Sequence, residues 1–500
     1  MSDGLGLGDV YGTTIERIMA QDRDKARLAM AALMWISHAE RPLEADELCH
    51  ALIVELGSKD FNAGNIPSIT TLVGYSQGLI TVDKDTSTVR LIHLTVKEYL
   101  SARSDIFNRA HAAMAETCLT LLNSTQVRAL SADPSAVPYD KPFLRYSSVY
   151  WGVHAKRELS NRARSLALEL FQEYDSHNSR KLLLEQVKHP ESWKFGRNFF
   201  CDDRFSFNGL HCASFFGIVE VVATLIEIER YDVNEGDTRG STPLAWAARN
   251  GHDEVVKMLL GRREVYPNEK DFSSLTPLAY AAWEGHAGVV RILLGHEGVN
   301  PDKPDFDGRT PLPRAASSGH VEVVKILLAR QEVNPDILDN DGRMPLWYAA
   351  QGGHEGVVQI LLARQEVNPG RLCYRGQTPL LYAAQHGFEG VMTIFLGLKG
   401  VNGGMSDDGG RTPLSYAAQY EFDGVVKTLL GREGVSSCMP DNYGRTPLSY
   451  AAQGGHEKVV KILLARQEVN PDELSYNGRT PLSYAAQSGN EEVVNILLGC

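Results

Sequence analysis

Apolar side chains recur at helical spacing through residues 13–37 ("IERIMAQDRDKARLAMAALMWIS"), which predicts one amphipathic helix there. "RPLEADELCHALIVEL" predicts a second helix after Arg41-Pro42, and "IPSITTLVGYSQGL" a third beginning near Pro67. The pattern then shifts to two short strands, "LITVD" and "TVRLIHL", around the charged turn Lys84-Asp85. Three helices and a hairpin predict a small α+β winged helix within residues 1–104. Residues 105–205 return to helical texture ("FNRAHAAMAETCLTLLN", "FLRYSSVYWGVHAKREL", "RARSLALELFQEY") and are expected to form a helical bridge.

From about residue 206 a single pattern governs the chain. Thr-Pro-Leu recurs at Thr242, Thr276, Thr310, Thr378, Thr412, Thr446 and Thr480, with Met344 in place of Thr once, always 34 residues or a multiple apart. Asn208-Gly209-Leu210-His211 reads as a worn copy one period earlier, giving about nine units over 206–500. Thr supplies an N-cap oxygen, and Pro occupies the first helical position, where a missing N–H costs nothing. A Gly nine residues after the Thr (Gly251, Gly285, Gly319, Gly353, Gly387, Gly455, Gly489) suits a left-handed cap. A second helix follows with paired apolar residues on one face, as in Val459, Val460, Leu463 and Leu464. No unit can bury both of its helices alone, so like units must stack and share a core. The predicted class is therefore mainly α: a repeat solenoid preceded by a winged helix and a helical bridge, with the bridge covering the open face of the first repeat.

These residues resemble the ankyrin repeat, as Asp339-Asn340-Asp341-Gly342-Arg343 leading into Met344-Pro345-Leu346, Ala349, Ala350, Gly353 and His354 shows. The period is one residue longer than that family's usual one, and the residue after Leu varies. The resemblance implies protein partners that meet the turn tips and the exposed side of the first helix of each unit. Carried onto this chain, the tip positions include Phe272, Phe306, Tyr374 and Tyr476, and the helix-end positions include Arg249, Trp283, Glu284, His386 and Tyr420. Aromatic side chains there could anchor a partner or pack on the neighbouring turn. His252, His286, His320 and His354 recur in register, but helices pack about 8–10 Å apart, too far for successive imidazoles to share a metal ion. They are expected to bond backbone near the preceding turn. Where Glu421 replaces the capping Gly, left-handed backbone must be borne by a side-chain residue, so 395–425 is expected to open first.

The first hundred residues resemble the winged helix that follows the ATPase core in fungal NACHT-type, NLR-like (STAND) signalling proteins, often labelled after a GPI inositol-deacylase. "LMWISHAERPLEADELCHAL" and "LIHLTVKEYLSA" carry that resemblance. It implies that His93, with Thr95, Glu98 and Tyr99, matches a position that can touch the phosphate of bound ADP. No G-x-x-x-x-G-K-[ST] phosphate loop occurs in the sequence, so His93 is only a weak cofactor candidate and no cofactor is expected. The chain is expected to be the back half of such a receptor.

A net charge of −12, and ten basic against fourteen acidic residues through position 104, argue against nucleic acid as the winged helix's partner. No apolar run is long enough to span a membrane, and seven scattered cysteines without a C-x-x-C pair fit a reducing, cytoplasmic setting, with the nucleus open. Gly74-Tyr75-Ser76-Gln77-Gly78 matches the nucleophile-elbow motif, but a helix is predicted before it and strands after it, the reverse of the order that motif needs. No catalytic residues and no metal-ligand spacing are assigned. A hydrolase using Ser76, or a nucleotide-responsive switch using His93, is the alternative to a non-catalytic interaction scaffold.

Overall fold

The computed structural model describes residues 7–58, 60, 65–103, 105–130, 141–186 and 207–500. The expected boundaries at residues 104 and 205 fall beside or within residues outside that set. The chain divides into two compact units, one ending at Pro243 and the other beginning at Leu244.

The first unit opens with α1 (Leu7–Met19) and α2 (Arg23–His38). The single helix expected over 13–37 is thus broken. Asp22 leaves helical geometry and its carboxylate caps the new helix by accepting from the Asp24 N–H, so a local cap overrides continuous apolar periodicity. Helices α3 (Ala45–Ala51) and α4 (Ile69–Tyr75) complete the expected trio. Strands β2 (Ile80–Val82) and β3 (Thr88–Leu91) form the hairpin, and a two-residue strand, β1 (Leu43–Glu44), joins on the far side of β3. β1 is too short to leave a periodic signal.

Helix α5 (Leu94–Ala102) leads to a bundle of α6 (Ala110–Leu122), the short α7 (Thr125–Arg128), α8 (Phe143–Arg157), α9 (Asn161–Leu170) and α10 (Asn178–Gln186). Trp35 on α2 is buried edge-on against Phe143 at 5.2 Å and Tyr146 at 5.8 Å, which fastens the bundle to the helices before it. The first repeat, α11 (Gly209–Phe216) and α12 (Val219–Leu225), lies against the same bundle. Trp151 meets Phe216 at 5.3 Å and Phe171 at 5.8 Å, and the Phe171 carbonyl accepts from Arg230 Nη2 (2.6 Å) and the Tyr231 hydroxyl (3.0 Å). A Cβ on Gly152 would sit 2.2 Å from the Phe216 ring, so only glycine permits this approach.

The second unit repeats one helix pair. Inner helices such as Pro277–Glu284, Pro311–Ser317 and Pro447–Gly454 pack on one another, as do outer helices such as Ala287–Leu294 and Glu457–Leu464. With the first repeat, nine such pairs occur among the described residues. Val255, Val256 and Leu259, Val289, Val290 and Leu293, and Val459, Val460 and Leu463 are buried, as are both alanines of the inner helices up to Pro447–Gly454, so the cores of these repeats are closed by their neighbours, whereas Leu498 in the last helix is 66% exposed. Thr276, Thr378, Thr412, Thr446 and Thr480 each accept a backbone N–H three residues on, the cap that the sequence implied, whereas the Thr310 hydroxyl caps none.

Glu421 does adopt φ of +62°, where the equivalent Gly387 and Gly455 have +75° and +78°. Glu421→Gly is therefore expected to raise the stability of the array by about 1 kcal/mol, read from the denaturant midpoint. In the wild type, hydrogen exchange should be faster over 395–425 than over 310–365; equal protection would contradict this assignment of the weak point.

Candidate protein-recognition surface

The turns between repeats are joined into a ladder. Backbone N–H groups at successive tips donate to carbonyls of the turn before: Phe306 to Ser273 (3.3 Å), Asn340 to Asp307 (2.9 Å), Tyr374 to Asp341 (3.1 Å), Asn442 to Gly409 (3.0 Å) and Tyr476 to Tyr443 (2.9 Å). The Asn340 and Asn442 side-chain amides add bonds to the Phe306 and Asp408 carbonyls. The tip backbone is thus held in register from the 273 turn to the 374 turn and from the 409 turn to the 476 turn, which fixes the spacing of the side chains that project from each run.

A buried or half-buried carboxylate shapes most of the turns from within. Asp271, Asp305, Asp339, Asp407 and Asp441 each place Oδ1 to accept two backbone N–H groups, two and four residues on. In four of them Oδ2 accepts the hydroxyl of a tyrosine nine residues later: Tyr280 (2.5 Å), Tyr348, Tyr416 (2.8 Å) and Tyr450 (2.6 Å). Burial, followed by the bond to Asp441, pushes the Tyr450 phenol up. Burial also works against the Asp441 carboxylate, yet the Tyr450 hydroxyl, two amides and Arg445 together hold it below its ordinary value. Arg445 stacks on the Tyr450 ring at 4.6 Å and Arg411 lies over the same ring at 5.0 Å, tying one repeat to the next. Where the tyrosine is replaced by Arg314, its guanidinium takes Asp305 directly, at 2.6 and 2.9 Å.

The recurring histidines are structural in the expected sense. Nε2 of His286, His320, His354 and His456 each bonds the carbonyl 37 residues earlier, those of Arg249, Trp283, Ser317 and Gln419. Each pins its own repeat to the end of the preceding inner helix.

Among the anticipated tip residues, Phe272, Phe306, Tyr374 and Tyr476 are 53, 71, 75 and 79% exposed, and Tyr420 is 45% exposed. His386 is also exposed, with its ring near Tyr382 and Phe388. Arg249 and Trp283 sit deeper. Arg249 lies over Trp246 and Tyr280 with Glu284 at 3.8 Å, while Trp283 packs on Ala245, Leu275, Ala279 and Tyr280 beneath the Arg314 guanidinium. Glu284 keeps an exposed carboxylate beside Arg249.

The alternative sites look different. Ser76 is fully buried at the C-cap of α4, its hydroxyl donating to the Val73 carbonyl at 2.7 Å, with ordinary backbone angles and a strand after it. His93 is the exposed N-cap of α5: Nδ1 accepts the Thr95 N–H (3.3 Å) and meets the Thr95 hydroxyl (2.9 Å), which also meets the Tyr11 hydroxyl.

Models of the ankyrin repeat (three copies) match overlapping windows that together run from residue 173 to residue 500. The chain belongs to the ankyrin-repeat family. A second model, the winged helix domain of GPI inositol-deacylase, matches residues 15–113. A comparison with curated proteins finds no match. Ankyrin repeats support a protein–protein interaction role for this array, and no helix among the described residues is long and apolar enough to cross a membrane.

The ankyrin ladder also exposes residues that tip counting did not select. Leu372 and Leu474, two positions before Tyr374 and Tyr476, are exposed, as are Leu338 at the equivalent place one repeat before Leu372 and, at another place, Tyr443. The recurrence of the three leucines at multiples of 34 was a readable signal. A second grouping left no such trace: Glu40, His111 and His154 offer ligand atoms within 4.8 Å of one another, although 71 and 43 residues separate them in sequence. Burial, then the neighbouring histidine and Arg157, depress His154 to about 3; burial and Arg157 depress His111 to about 4.

Proposed function

We propose that this chain is a non-catalytic recognition module in which the ankyrin array grips a protein partner through the row of tip aromatics, within an NLR-like signalling receptor of the cytoplasm. The observation that carries this reading is the ladder: Phe306, Tyr374 and Tyr476 project largely exposed from a backbone already locked by inter-repeat hydrogen bonds, so binding costs little ordering of the main chain. Arg249, Phe272, Trp283, Glu284, His386 and Tyr420 are the remaining contact residues of the proposal, with Arg249 and Trp283 acting mainly as support. The winged helix and bundle serve as adaptor and as cover for the first repeat.

Two features support the absence of chemistry. The Ser76 hydroxyl is sealed from solvent, and the His93 ring is engaged in capping its own helix. The test is direct. A fluorophosphonate probe should leave Ser76 unlabelled, and ADP with Mg2+ should leave Tm unchanged. Stoichiometric labelling, or a Tm rise of several degrees that His93→Ala abolishes, would replace this reading with the hydrolase or the nucleotide switch.

A further inference from the structure

Glu40 follows α2, His111 stands in the first turn of α6 and His154 in the last turn of α8. His154 is completely buried; His111 Nδ1 lies 2.9 Å from His154 Nδ1, and Glu40 Oε1 lies 3.9 Å from the same nitrogen. The Glu40 N–H donates to the Tyr146 hydroxyl oxygen at 3.1 Å. One proton lies between the Tyr146 hydroxyl and His154 Nε2, 2.9 Å apart, and another between His154 Nδ1 and His111 Nδ1. Each of the three side chains brings a ligand atom within 4.8 Å of the others. Glu40 Oε1 is buried without a hydrogen-bond donor in good geometry; the Arg157 guanidinium is near it, Nη1 at 2.5 Å, but bonds Oε2 through Nη2 at 3.1 Å.

We propose that His111 Nδ1, His154 Nδ1 and Glu40 Oε1 form a binding site for a divalent transition-metal ion of the zinc class. Two imidazole nitrogens and one carboxylate oxygen are a donor set that suits Zn2+ or Co2+ and is poor for Mg2+ or Ca2+. Ligands held about 2.0 Å from a tetrahedral ion stand about 3.3 Å apart, so the two nitrogens need to open by only a few tenths of an ångström. Binding through both Nδ1 atoms requires each imidazole to carry its proton on Nε2; for His154 that proton then donates to the Tyr146 hydroxyl oxygen, which accepts the Glu40 N–H as well. Arg157 is the opposing group, because its charge repels the ion and holds Glu40; its side chain is half exposed and free to swing outward. His38 does not join the three converging ligand atoms, and its Nδ1 is taken up by the Met34 carbonyl and the Ser37 hydroxyl. Such an ion would clamp α6 and α8 to the end of α2.

The full chain carrying Cys500→Ser, which removes an exposed thiol, is stripped with a chelator and titrated with CoCl2 and ZnCl2. The expected result is one equivalent of Co2+ with intense visible absorption of low-symmetry tetrahedral coordination, displaced by Zn2+. His111→Gln should weaken binding at least 100-fold, and Arg157→Gln should tighten it several-fold. His50→Gln with His296→Gln, two histidines away from the cluster, should leave it unchanged. No saturable Co2+ binding in either the parent or Arg157→Gln, or binding that survives His111→Gln, would overturn the assignment. If His111→Gln fails to fold, tightening or its absence in Arg157→Gln decides the question alone.

Discussion

Asp441→Ala is expected to cost about 4 kcal/mol and to unfold the surrounding repeats before the rest of the array. The substitution strands four donors at once: the N–H groups of Tyr443 and Arg445, the Tyr450 hydroxyl and the Arg445 side chain. The Tyr450 hydroxyl bond is buried and the other three are half-buried, and each unmet buried donor costs on the order of 1–3 kcal/mol. Tyr450→Phe, which removes one bond and leaves Asp441 Oδ2 with Arg445, should cost less than half as much. The carboxylate is held below its ordinary value, so its contribution is complete above the unfolded-state value near 3.8 and fades as pH falls through the lower folded value. Acid should therefore destabilise the wild type below about pH 4 more steeply than the alanine variant. The same logic runs in reverse where Cys373 occupies the aspartate position. Its backbone keeps the turn bond to Gln377, so Cys373→Asp should stabilise by about 1 kcal/mol. Denaturant titration followed by circular dichroism measures all three; an Asp441→Ala cost below about 1 kcal/mol would show that the turn is held by packing alone.

Phe216→Ala is expected to cost about 3–4 kcal/mol within the first unit and to loosen the bundle from the first repeat. The ring fills the space above Gly152 and meets Trp151 edge-on, and Trp151 in turn bears on Phe171, whose carbonyl holds Arg230 and Tyr231. Removing it leaves a cavity beside a buried tryptophan that no neighbouring side chain can reach without moving a helix. Hydrogen exchange should rise together over 143–170 and 209–225. Loss of protection confined to 209–225 would mean that the bundle stands independently of the repeat it covers.

Much of this was legible because a repeat states its rules several times. Thr276 and its equivalents announced their caps, and the glycines announced left-handed backbone so firmly that Glu421 could be singled out as a strained exception. The histidines read correctly as backbone anchors for the same reason. The Asp441–Tyr450 pairing was available too, as a spacing of nine residues kept in four repeats and exchanged for an ion pair at Arg314, but it shows only when polar positions are compared between repeats. Other features were not in the pattern. The break at Asp22 depends on one side chain capturing one amide, and β1 is two residues long. Arg249 and Trp283 occupy positions that face outward in a schematic repeat, yet stacking on Trp246, Tyr280 and Arg314 draws them in. The meeting of Glu40, His111 and His154 depends on how three separate helices pack, and local sequence carries no record of that.

The central claim is that the face formed by the tips and the inner-helix ends, and not the outer helices, holds the partner. A protein ligand selected by display against the full chain allows that to be measured by titration calorimetry. The account predicts that Phe306→Ala, Tyr374→Ala and Tyr476→Ala combined weaken its binding at least 100-fold with Tm unchanged, while Lys257→Ala, Lys325→Ala and Lys461→Ala on the outer helices change it less than twofold. Undiminished affinity in the triple tip variant, with loss in the outer-helix variant, would contradict it.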